Sequence, residues 1–125
     1  MDIQRLSKIV RVILTAELFV GGQARLGAAL SPRLYGRAMA KAEGTQKYLS
    51  FIPIQDPEKH TNFIGALMMT AGLLLSYGPT CLAGGLLSIS STLAGVYSQY
   101  RMDIPYWLPS MNTVLAAIII YAETR

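Results

Sequence analysis

Residues 9–30 read IVRVILTAELFVGGQARLGAAL, and this run decides the fold. At ~1.5 Å per residue, a helix over it is long enough to cross a hydrocarbon layer ~30 Å thick. A carboxylate, Glu17, sits near its middle, followed by Gly21 and Arg25. These three positions fall at i, i+4 and i+8 and so share one helix face. Gly21 and its neighbour Gly22 let a second backbone come close on or beside that face.

If this run spans a bilayer, the other apolar runs must assemble around it. The composition agrees, with 52% hydrophobic and 14% charged residues, where soluble domains carry nearer one quarter charged. No Asp, Glu, Lys or Arg falls between His60 and Gln99. A chain of 125 residues has too little polar surface to cover so many apolar side chains in water. Lipid can cover them instead. The expected fold is all-α: a single domain over residues 1–125, built as an up-and-down four-helix transmembrane bundle. Its spans fall at about residues 9–30, 62–77, 80–100 and 106–122. Arg5, Lys8 and Arg11 before an apolar run resemble a cleaved leader, but Glu17 inside the run argues for a retained first helix.

An interfacial amphipathic helix is expected over residues 32–43. Ser31-Pro32 supplies an N-cap and a first-turn proline. Arg33, Arg37 and Lys41 then make a basic stripe opposite Leu34, Tyr35, Ala38 and Met39, a pattern suited to lying on a headgroup layer. Gly44 is expected to end this helix. Tyr48–Pro57 is too short to span and carries Pro53 and Pro57, so it is expected to be a loop.

Small residues mark the packing faces. Gly65 and Gly72 share a face of the second span, and Gly84, Ser88, Ser91 and Gly95 form a stripe down the third. In lipid, close backbone approach takes over the work that burial does in water. The stripe is expected to pack on the Gly65 and Gly72 face. Tyr97, Tyr100, Tyr106 and Trp107 cluster at the third turn, while Tyr77 and Tyr121 sit at the opposite helix ends. Two such groups match the aromatic belts of a membrane protein. Arg5, Lys8, Arg11 and Arg125 fall on the terminal side, against Arg33, Arg37, Lys41, Lys47, Lys59 and Arg101 on the other. That contrast leaves the orientation and the identity of the membrane open.

Arg11, then Phe19-x-x-Gly22-x-x-Arg25-Leu26, then Asn62-x-x-Gly65 and Ala71-Gly72-Leu73-Leu74-Leu75, resemble the DoxX-like group of small four-helix membrane proteins. The resemblance covers roughly Arg11 to Tyr121. It departs at Arg25, where that group often has Lys, and in the length of the loop after the first helix. It implies a four-helix membrane bundle. It says little of activity, because the group is functionally mixed and some members accompany quinone-linked oxidoreductases.

Glu17 is the leading chemical candidate, since an ionisable group inside a membrane helix is costly and often functional. It admits two roles, an acid–base group or a packing lock paired with a cation. Arg25 is the cation on its face, about 12 Å of helix rise away, and a polar substrate could lie between them. His60 could exchange protons near neutral pH and complete an acid–base couple with Glu17, although an interfacial histidine without a chemical role is the default reading. Arg25, Asn62 and Asn112 are candidate substrate-binding groups, with helix–helix hydrogen bonding as the competing role for the amides. Gln99 and Thr113 fall under that competing role, Met68 and Met69 read as packing filler, and Cys81 reads as an inert small residue.

No P-loop, dinucleotide glycine fingerprint, HExxH or GxSxG occurs in the chain. One histidine and one cysteine cannot build a metal site alone, so no metal and no cofactor is expected. The net charge of +4 flanks apolar runs and forms no dense basic face, which argues against nucleic acid and for anionic lipid headgroups. The expected partners are the bilayer, a second copy or a larger membrane enzyme, and a lipophilic small molecule. The functional expectation is an accessory or binding subunit of a membrane-associated pathway. The alternative is a membrane-embedded isomerase, cyclase or quinone-linked redox enzyme using Glu17 as acid or base.

Overall fold

The computed structural model describes residues 2–124. Arg125, counted above among the terminal-side cations, lies outside them. The described residues form six α-helices: α1 (Ile3–Leu26), α2 (Pro32–Ala40), α3 (Ala42–Tyr48), α4 (Pro57–Ser76), α5 (Cys81–Arg101) and α6 (Trp107–Glu123), with a 3-10 turn at Gly78–Thr80. No strand occurs among them.

Four long helices, α1, α4, α5 and α6, form a ring in which each packs on the next and α6 returns to α1. Short turns make α4, α5 and α6 successively antiparallel, while α2 and α3 connect α1 to α4. α2 and α3 lie over the end where α1 finishes and α4 begins. Inward positions of α1 recur at helical spacing: Ser7, Val10, Leu14, Leu18 and Gly22 are buried. Val10, Leu14 and Leu18 meet Ala71, Leu75, Cys81, Ala116 and Ile119 in one apolar core. Cys81 is a free, buried thiol within it.

The helix bounds move from their expected places for identifiable reasons. α1 begins six residues before Ile9 because Asp2 caps it, accepting the Arg5 backbone N–H at 2.8 Å. α4 begins at Pro57, well before Asn62, because Asp56 is an N-cap that accepts the Glu58 N–H at 3.1 Å and proline occupies the first turn. The expected amphipathic helix is in fact two helices. α2 stops at Ala40, Lys41 takes a non-helical conformation, and α3 resumes at Ala42. Gly44 therefore ends nothing. It lies inside α3 against the Met102 side chain beyond α5.

The small-residue faces are also paired differently from expectation. Gly65 and Gly72 pack on α1, against Gly22 and Phe19 respectively, and not on the α5 stripe. Of the two glycines in that stripe Gly84 meets α4, where an added Cβ would lie 2.7 Å from the Leu75 backbone nitrogen. Gly95 meets Pro109 of α6. The Ser88 hydroxyl donates to the Gly84 carbonyl of its own helix at 2.6 Å. Serine there satisfies itself locally and contributes small bulk, not an interhelical bond. A hydroxyl bond joins α5 to α6 between Thr92 and Thr113, at 2.9 Å.

The ends of the ring are tied by α1. Gln4 Nε2 donates to the Ala122 carbonyl at 3.1 Å. The Arg11 guanidinium donates to the Leu75 carbonyl in the last turn of α4, where a cation meets the negative end of the helix dipole. Asp103 closes α5 with φ 60, a left-handed conformation that Asp tolerates better than most side chains. Four spans were expected; among the described residues one helix with its leading turn, Gly78–Arg101, is long and apolar enough to cross a membrane.

Candidate functional site

Inside the ring, toward the α2–α3 end, lies a partly open chamber of about 420 Å³. That volume is in the usual range of small-molecule sites, ~300–1,000 Å³. α5 makes the room: Ser90, Ser91, Ala94 and Gly95 line it, and bulky residues at those positions would fill it. Leu67, Met68 and Leu87 supply apolar wall.

Three of the candidate catalytic and substrate-binding residues meet here. Glu17, Arg25 and Asn112 all line the chamber, as do Gly21 and Gln99. α1 brings Glu17, Gly21 and Arg25 in on one face, as their spacing requires. Asn112 comes from α6, and its side chain lies beside the Glu17 carboxyl. Glu17 Oε2 and Asn112 Oδ1 are nonetheless buried without a hydrogen-bond partner. Thr61 Oγ1, also in the lining, is a third such atom. Orphaned buried oxygens are expensive, so the chamber offers acceptors that a ligand hydroxyl or an ordered water would satisfy.

Arg25 does not stand out along the helix axis. Its side chain folds back, and Nη1 donates to the Gly21 carbonyl at 2.9 Å. The guanidinium thus lies about one turn from Glu17, roughly 6 Å of rise, in place of the ~12 Å between their backbones. Gly21 makes this possible: an added Cβ would lie 3.4 Å from Nη1 and 2.8 Å from the Met68 methyl.

Lys41 was placed by its spacing on an outward basic stripe. The break after Ala40 turns it instead into the chamber lining, beside Arg25. Burial pushes its ammonium below the usual lysine range, and the nearby positive charges of Arg25 and Arg37 push it further the same way. The clue in the chain was the stripe's end. A helix that stops after Ala40 cannot hold Lys41 on the same face as Arg37.

His60 and Asn62 are not brought to Glu17. His60 is fully buried at the start of α4, with its Nε2 bonded to the Leu49 carbonyl at 3.0 Å and Nδ1 unpartnered. Neither residue lines the chamber. The acid–base couple expected between His60 and Glu17 is therefore not assembled, and His60 instead holds the end of α3 against α4. Among the described residues no group of His, Cys, Asp and Glu could hold a metal ion.

Comparison with models of protein families, with curated proteins and with solved structures yields no match to this chain.

Proposed function

We propose that this chain is a small multi-pass membrane protein of DoxX-like type, with α1, α4, α5 and α6 as its four spans. In this reading it is an accessory or binding subunit that holds a lipophilic small molecule in the α1–α4–α5–α6 chamber. The observation that carries it is an apolar outer surface on all four long helices, around an apolar core that also holds polar side chains. Outside, Val12 is 71% exposed, Leu73 63% and Val114 59%, one on each of three helices, and Leu86 and Leu93 add an exposed pair on the fourth. Inside, Ser7, His60, Thr61, Ser88, Thr92, Ser98 and Asn112 are buried. Water disfavours so much exposed apolar surface, whereas lipid covers it. The tyrosine and tryptophan groups at the two ends of the ring support the same view. Tyr100 and Tyr106 stack edge to face at 5.7 Å, and Arg101 lies over the Tyr48 and Tyr97 rings.

Two measurements test this. The chain should stay in the pellet after alkaline washing of membranes. Protein purified in a neutral detergent should release about one lipophile per chain on solvent extraction, as one enclosed site requires, and Ser91→Phe should abolish that release. A chain washed off at high pH would end the membrane reading. Undiminished lipophile in the Ser91→Phe protein would end the chamber reading.

A second reading has its own observation. Glu17 Oε2 is buried and unpartnered in the chamber, the placement of a group that exchanges a proton with a bound molecule. The chain would then be a membrane-embedded enzyme, with Glu17 as acid or base and Arg25 steadying developing negative charge. Glu17→Gln should abolish turnover of the extracted lipophile while the chain still inserts; unchanged turnover would exclude this role.

A further inference from the structure

The two cations in the chamber are costly. Arg25 and Lys41 share one wall, close enough that Arg25 disfavours the charge on Lys41. Neither has a carboxylate within ion-pairing distance among the described residues. The Arg25 bond goes to a carbonyl of its own helix. Two like charges held together in a partly dehydrated wall destabilise a fold unless an anion joins them. The rest of the lining is largely apolar, with Leu67, Met68 and Leu87 among it, so the missing anion belongs to a molecule that is otherwise greasy.

We infer that the chamber takes an anionic amphipath, whose carboxylate or phosphate head sits between Arg25 and Lys41 and whose tail lies along the apolar lining. This rests on the proposed binding chamber and names its ligand class. The planar guanidinium gives two parallel donors to such a head, and the ammonium adds a compact point charge. Lys41 comes from the break between α2 and α3, so these two helices form the head-group end of the site. A tail running down the chamber passes Glu17 and Asn112, whose unpartnered oxygens would accept from a hydroxyl on the tail or from an ordered water.

Four probes with one tail and different heads test this: dodecanoate, dodecyl phosphate, dodecanol and dodecyltrimethylammonium. They are presented together to the full chain in maltoside micelles, and the bound species are read by native mass spectrometry. The anionic probes should be retained over dodecanol by roughly ten-fold, the scale of one charge-assisted contact. Dodecanoate and dodecyl phosphate compete directly, so their ratio tells a carboxylate head from a phosphate head. Lys41→Met should remove the preference, while Arg33→Gln, which alters an exposed cation of α2 outside the lining, should leave it intact. Dodecanol bound as well as the anions overturns the head-group inference and leaves the chamber standing. Retention of none of the four removes both. A preference that survives Lys41→Met, or that is lost in Arg33→Gln, reflects general positive charge and also overturns it.

Discussion

Gly22 and Gly65 turn bare backbone toward each other across the α1–α4 seam. A Cβ on Gly65 would lie 2.7 Å from the Gly22 carbonyl oxygen, and a Cβ on Gly22 would lie 2.8 Å from that of Gly65. Both obstacles are backbone, so neither can swing aside as a side-chain tip would. Gly65→Ala should therefore force the two helices apart and destabilise the protein by about 1–3 kcal/mol, the usual cost of overpacking. Thermal unfolding in neutral detergent reads this. A midpoint equal to that of the parent chain would mean the seam is looser than these distances require.

Gly36 offers the opposite case. It is exposed in the middle of α2, and an added Cβ would meet nothing within 4 Å. Gly36→Ala should stabilise α2 by roughly 0.5–1 kcal/mol, because alanine loses less backbone freedom in a helix. The amide hydrogens of α2 should then exchange more slowly, and faster exchange would contradict the expected sign.

His60 should matter to folding and not to any chemistry in the chamber. Its Nε2–H donates to the Leu49 carbonyl at 3.0 Å in a fully buried setting. His60→Ala leaves that carbonyl with only the Ile52 N–H, at 3.2 Å, and opens a void, for a cost of about 2–3 kcal/mol. Proteolysis between α3 and α4 should accelerate, while retention of a chamber ligand by the intact fraction should not change. Normal stability with lost ligand would return His60 to the site.

Lys41 supplies a pH signature. Its pKa is lowered in the folded protein from an ordinary value of 10.5, by burial first and then by Arg25 and Arg37. The folded state thus disfavours a charge that the unfolded chain carries freely. That cost is present in full below the folded value and is relieved as the pH rises from there to the ordinary one. Lys41→Met should consequently be more stable than the parent at neutral pH, with the advantage shrinking toward alkaline pH. Unfolding midpoints of both proteins across that range are the check, and an advantage that grows with pH would have the wrong sign.

Much of the fold was legible in the chain because helix periodicity and breakers are local. Gly78-Pro79 and the Arg101–Asp103 turn bound α5 close to where they were expected, and the Ser31-Pro32 start of α2 holds. The early starts of α1 and α4 were also written locally, in Asp2 and in Asp56-Pro57. They were masked by the charges of Arg5, Lys8, Glu58 and Lys59, which end an apolar run without ending a helix. Hydropathy measures preference for lipid, whereas backbone hydrogen bonding and capping determine helix length.

Site residues divide in the same way. The common face of Glu17, Gly21 and Arg25 follows from 3.6 residues per turn and needs no tertiary information. Which helix the glycines of α4 would serve was beyond that rule, since a stripe of small residues fits any partner that can come close. Gly65 and Gly72 went to α1, and the α5 stripe became the wall of a chamber. Asn112 against Glu17, Lys41 beside Arg25, and His60 spent on Leu49 each join residues far apart in sequence. The chain by itself determined an all-helical protein with an acid and a base on one face of its first helix. Only the packing of the ring, which sets which side chains are close enough to interact, decided that this face looks into a cavity and that its second cation comes from the break after Ala40.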